Sequence, residues 1–140
     1  MVLLALIPWL FFASNVLVAQ ATPSPDEQAI PPVVWELVSF TETNGEPVTV
    51  DDPTRYTVQF LPEGELVAKF DCNQGHGGYT AVDGVLTLTP MATTKAMCPP
   101  DSYDMSFQQL LSQATSYQVD PETGYLVLSG EAGVLELQAS

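Results

Sequence analysis

The sequence predicts a small antiparallel α+β domain: a strongly curved sheet or partial barrel of about seven to eight strands, with one helix packed against it. Three observations predict it. Short runs that alternate apolar and polar residues recur along most of the chain. Turn residues such as Asp83-Gly84 separate them at hairpin distance. A single segment, after Pro99-Pro100, carries apolar residues at helical spacing instead. Strands in hairpin order form an antiparallel sheet, and the lone helix has to cover or plug it.

The elements follow in order. Trp35-Glu36-Leu37-Val38-Ser39-Phe40 opens the domain as a strand, and a polar stretch over residues 41–54 follows, with Val48-Thr49-Val50 as a short strand inside it. Tyr56, Val58 and Phe60 alternate on one strand face. Pro62-Glu63-Gly64 turns the chain into residues 66–72, which place Leu66, Ala68, Phe70 and Cys72 inward, with Lys69 and Asp71 opposite and able to pair. The stretch 69–79 then forms a glycine-rich elbow from which a strand leaves at Tyr79, and Asp83-Gly84 closes the next hairpin. Residues 93–97 are extended and lead to Cys98. Tyr103, Phe107, Leu110, Leu111 and Ala114 form a helical stripe, while Ser106, Gln108, Gln109 and Ser112 face water. Asp101 and Asp104 suit the helix N-terminus, where the dipole favours negative charge. Two hairpins end the chain, turning at residues 121–124 and 129–133.

Composition bounds the function. At 140 residues the chain holds one domain with a real core. Its net charge is −14, with 17 acids against three bases, Arg55, Lys69 and Lys95. Phosphate recognition needs clustered Lys and Arg, so nucleic acid is excluded as a partner, and an anionic membrane surface would repel the folded part. High net charge favours a soluble monomer.

Residues 2–19 are an apolar run broken by Pro8, Ser14 and Asn15, and Ala19-Gln20-Ala21 supplies small residues where signal peptidase reads. The expected organisation is a signal peptide over 1–21, a Pro-rich flexible leader over 22–32 and a folded domain over 33–140, secreted or periplasmic. The alternative is an uncleaved N-terminal anchor, since no Lys or Arg precedes the run and its length would suit a membrane span.

The residues then match a known family. The chain resembles the META domain, the family of the heat-shock protein HslJ. Trp35-Glu36-Leu37, Phe60 with Gly64, Asp71-Cys72-Asn73 with Gly78-Tyr79, and Thr94-Lys95-Ala96-Met97-Cys98-Pro99 carry the resemblance. Asp104, Phe107 and Leu111 on the helix and Tyr125-Leu126-Val127-Leu128 continue it. It spans roughly residues 33 to 138. Many members have glycine just before the first cysteine, whereas this chain has Asp71, as in a secreted subgroup; glycine reaches conformations that Asp adopts less easily. The resemblance implies a β-rich, usually exported and often stress-associated domain with no agreed catalytic activity, cofactor or catalytic residues.

The elbow concentrates the rare residues, so its chemistry needs weighing. In an exported chain, Cys72 and Cys98 favour a disulfide worth roughly 3 kcal/mol over two buried thiols or metal ligands. A zinc site would need Cys72, His76 and Cys98 with Asp71, which the strand period turns away from Cys72. The methionines Met91, Met97 and Met105 read as core filler rather than copper ligands. A calcium loop starting at Asp71 fails, because Gly75, His76 and Val82 stand where ligands and the turn glycine belong. Cys72 with His76 is the sole nucleophile–base pair on offer, and an inward, oxidised Cys72 in an acidic protein does not suit thiolate chemistry. The expectation is therefore no enzyme, no cofactor and no metal. Asp71, Asn73, Gly75, Gly78 and Tyr79 form a structural elbow, with Asn73 closing an Asx-turn. Gln74, His76 and Gly77 are the exposed tip available for contact with an unidentified protein or small ligand. The expected role is a structural or binding module of the cell envelope; the alternative is a small secreted inhibitor or ligand-binding module that uses the open sheet face and residues 74–77.

Overall fold

The computed structural model describes residues 29–140. The expected signal peptide and most of the Pro-rich leader lie outside the described residues. Ten strands and one α-helix make up the rest: β1 (Val34–Glu42), β2 (Val48–Thr49), β3 (Tyr56–Leu61), β4 (Glu65–Phe70), β5 (Asn73–Val82), β6 (Val85–Leu88), β7 (Ala92–Thr93), α1 (Asp104–Ser112), β8 (Ala114–Val119), β9 (Leu126–Gly130) and β10 (Gly133–Ala139).

The sheet closes on itself. Its order runs β10-β9-β8-β6-β5-β4-β3-β1, and β1 pairs back onto β10 along seven positions from Trp35↔Ala139 to Glu42↔Gly133. An eight-stranded antiparallel barrel results, with β2 added beside β1 and β7 beside β5. Expectation stopped at a curved sheet or partial barrel; pairing between the first and last strands completes it.

Period 2 sends one face of each strand inward. Tyr56, Val58 and Phe60 of β3 meet Leu66, Ala68 and Phe70 of β4, and Leu126, Leu128, Leu135 and Leu137 fill the other side. Helix α1 contacts β4 on one flank and β9 and β10 on the other, so it spans an end of the barrel. Phe107 anchors it, edge-on to Phe70 at 5.3 Å and to Tyr56 at 6.3 Å. Eight strands leave an interior just wide enough for side chains, and here they fill it.

Ser102 Oγ accepts from the Asp104 N–H at the helix entry; the N-cap residue, Tyr103, makes no side-chain capping bond, and Asp104 places negative charge in the first turn. Ala114 is buried from β8 rather than from the helix. Gln109 and Ser112 are exposed, whereas Ser106 and Gln108 are half-buried and bond Glu42 and Thr93. Met97 and Met105 are corrected outright: at 97% and 79% exposure they are surface side chains, and only Met91 packs against the core.

The largest correction is the elbow. Strand β4 ends at Phe70, and Phe70 pairs with Asn73, leaving Asp71-Cys72 as a two-residue turn. The turn resets the alternation. Cys72 is exposed and Asn73 is buried, the reverse of what an uninterrupted period would give. Gly75, Gly77 and Gly78 do not form a loop; they lie within β5, paired with Ala68, Leu66 and Glu65. A Cβ on Gly75 would stand 2.6 Å from the Phe70 ring, so this strand position is glycine because the core aromatic fills its space.

Candidate functional site

Two adjoining regions hold the residues singled out in the sequence. The first is the clamp at the β4–β5 turn. Asp71 sits at φ +58, the left-handed conformation that glycine adopts freely. Its carboxylate accepts two bonds from Arg55, from Nε at 3.0 Å and from Nη2 at 2.7 Å. Its backbone N–H donates to the Arg55 carbonyl. Arg55 Nη1 also reaches Asp101 at 3.3 Å. The guanidinium holds the Asp71 carboxyl below its ordinary value, against a smaller opposing effect of burial, and the same bonds raise Arg55. The expected Lys69–Asp71 pair does not form; Lys69 Nζ donates to the Thr54 carbonyl at 3.3 Å.

Cys72 and Cys98 are joined by a disulfide across 26 positions of sequence. It ties the turn to the strap of chain, residues 94–103, that leads into α1. Asn73 holds the same strap from inside. Its Nδ2 donates to the Ala96 carbonyl at 2.9 Å, while its Oδ1 accepts from the Ala96 N–H at 2.7 Å and from Thr94 Oγ1 at 3.0 Å. Both groups of the carboxamide are thus used, as burial demands. The expected Asx-turn is replaced by these long-range bonds. Tyr79 lies farther along β5, edge-on to Phe60, with its hydroxyl donating to the Leu61 carbonyl at 2.8 Å and its pKa raised by burial.

The second region is the outer face of β3, β4, β5 and β7. Strand register lines its side chains into two transverse rows: Gln59, Val67, His76 and Ala92, then Thr57, Lys69, Gln74 and Thr94. An open groove of about 660 Å³ runs over them. His76 Nε2 lies 3.0 Å from Glu65 Oε1, and Lys69 reaches the opposite way, toward Thr54, so the two basic side chains bend apart and leave the floor to Val67 and the backbone at Ala68 and Gly75. Gln74 and His76 are exposed here on a strand face rather than at a loop tip. Gly77 is half-buried under Met91.

The clamp is structural in its chemistry. Both cysteine sulfurs are joined in the disulfide, so Cys72 is not a thiolate, and His76 is bonded to a carboxylate on β4. Among the described residues no three His, Cys, Asp or Glu side chains converge in a metal-binding group, and no helix is long and apolar enough to cross a membrane. Sequence reasoning placed Gln74 and His76 correctly as exposed but missed their neighbours Thr57, Val67, Lys69, Ala92 and Thr94. The available signal was the outward half of each strand period, read across the register of four strands. Arg55 was missed as the partner of Asp71.

A family model described as the META domain matches residues 28–140. Two solved structures share the fold. One is a protein from Burkholderia xenovorans solved by NMR, 18% identical over 78% of this chain and 82% of its own, with a TM-score of 0.61. The other is a DUF4847 family protein from Bacteroides vulgatus, 20% identical over 82% of this chain and 97% of its own, with a TM-score of 0.59. At these identities the likeness carries the fold alone. A search of curated proteins gives no match.

Proposed function

We propose, from the premise that this chain belongs to the META domain family, that it is an exported, non-enzymatic binding module whose contact surface is the outer groove of β3, β4, β5 and β7. The observation that carries this reading is the asymmetry of these strands. Their inner faces are filled by Phe60, Phe70 and Leu66, while their outer faces form an open channel lined by apolar and polar groups and Lys69, with no Asp or Glu in the lining, in a chain of net charge −14. A surface that escapes the general acidity can hold a partner that the rest of the molecule would repel. The apolar N-terminal run and the small residues at 19 and 21 support export, and the family resemblance supports a stress-associated place in the cell envelope or outside the cell. The acidic composition supports a monomer without nucleic-acid or membrane contacts. Its architecture fits a module held rigid by a disulfide rather than a catalyst, since the clamp consumes the rare reactive side chains.

A photo-crosslinking residue placed at Gln74, in the groove, and in a separate sample at Thr87, on β6, tests the assignment in native envelope or medium. Adducts from position 74 and none from position 87 are expected. Equal yields at both positions, or none at 74, would remove the groove as the contact surface.

A further inference from the structure

We propose that the outer groove is a receptor for small amphipathic carboxylates, with the acid group held by Lys69 and Gln74 and the apolar body lying over Val67 and Ala92. The inference rests on the reading of this groove as a binding surface and names its ligand class.

Charge supplies the first argument. Of the three bases, Arg55 is committed to Asp71 and Asp101, and Lys95 lies on the strap outside the groove. Lys69 is the one lysine or arginine lining it, and no Asp or Glu lines it. An ammonium carries three donors, and among the described residues Lys69 spends one, on the Thr54 carbonyl at 3.3 Å. Gln74 stands directly across from Lys69 in the strand register and can add an amide donor to the same anion. Two acids stand near the groove, Asp71 and Glu65. Asp71, which acts on Lys69, is paired with Arg55. Glu65, paired with His76, is four positions from Lys69 along β4, roughly 13 Å at the strand rise and beyond the screening length of about 8 Å.

Shape supplies the second. The groove's volume of about 660 Å³ falls within the range of small-molecule sites, roughly 300–1,000 Å³. The barrel interior is occupied by side chains, Phe60, Phe70 and Phe107 being fully buried within it. Away from Lys69 the floor is Val67 and backbone, with Ala92 at the β7 side, which suits an alkyl or aryl body. A phosphate or a second carboxylate would need more donors than one ammonium and one amide, so the charge selects a monoanion.

The test uses the secreted chain, 15N-labelled, titrated with octanoate, octanol and octylammonium below their micelle concentrations. Octanoate should shift the amides of Val67, Lys69, Gln74 and Ala92 and bind at least about tenfold tighter than the other two, an advantage of the size expected for a charge-assisted contact. Lys69→Met should abolish that preference without changing octanol binding, and Lys69→Arg should retain it. Octanol binding as tightly as octanoate in the same groove would overturn the carboxylate assignment while leaving the groove as a binding surface. No shift at these amides with any of the three ligands would overturn the small-ligand inference itself. The crosslink from position 74 then decides separately whether the groove meets a protein.

Discussion

Two turns of this barrel look alike and are made in different ways. Asp83-Gly84 joins β5 to β6, and Asp71-Cys72 joins β4 to β5; each has two residues, and each holds an aspartate in the left-handed region, at φ +51 and φ +58. At Asp83-Gly84 the second residue is glycine at φ +80, and this local chemistry is sufficient for a tight hairpin. At Asp71-Cys72 positive φ is confined to the first position, where glycine is the usual occupant. Here a side chain replaces glycine's freedom. Arg55, 16 residues earlier, grips the aspartate with two bonds, and Cys98, 26 residues later, ties the cysteine. One turn is held by its own residues and the other by the fold around it. A turn of the second kind can transmit what happens at its distant partners.

The widest separation between the two should come from the disulfide. Replacing Cys72 and Cys98 together by serine releases the strap and is expected to lower stability by about 3 kcal/mol in urea unfolding, on the chain-entropy account for a loop of this length. The β5–β6 hairpin should keep its amide protection while residues 94–103 lose theirs. Equal loss in both regions would mean that the two turns share one support.

Asn73→Ala comes next, at about 2 kcal/mol, because it strands the Ala96 N–H and C=O next to a buried site. Hydrogen exchange at the Ala96 amide reports it directly, and faster exchange there with the disulfide intact is the expected result. An unchanged rate would show that the disulfide alone fixes the strap.

The contrast between the turns also explains what the sequence could reveal. Asp83-Gly84, the strand alternation at Tyr56, Val58 and Phe60, and the stripe at Phe107, Leu110 and Leu111 are local signals, and all three read correctly. Cys72 was misplaced because period 2 was carried through a turn that contains no glycine and no proline to announce it. Gly75, Gly77 and Gly78 suggested a loop because composition does not say that Phe70 occupies the space beside Gly75. The groove was harder still. Lys69, Gln74 and Thr94 become neighbours only when β4, β5 and the strap are set in register, and Thr57 joins them only through β3. Barrel closure by β1 and β10 is likewise a pairing between the two ends of the domain, with nothing local to mark it.

The smallest effect isolates the Arg55–Asp71 contact through pH. Arg55 lowers the folded-state pKa of Asp71 below its ordinary 3.8, so the unfolded chain takes up the proton first as the solution is acidified. The contact's contribution to stability is therefore complete above that value, declines as pH falls through the folded-state pKa, and vanishes below it. Asp71→Asn keeps a residue that tolerates the left-handed conformation and removes the charge together with one of the two oxygens that accept from Arg55. Its urea midpoint should lie below that of the parent at pH 7 and converge with it as the pH falls below 3.8. Asp71→Gly should show the same flattened acid limb but sit above Asp71→Asn by up to about 1 kcal/mol, since it also sheds the left-handed strain. Curves for parent and Asp71→Asn that stay parallel across this range would mean that Arg55 does not hold the turn. Asp71-Cys72 would then rest on the disulfide and on Asn73 alone.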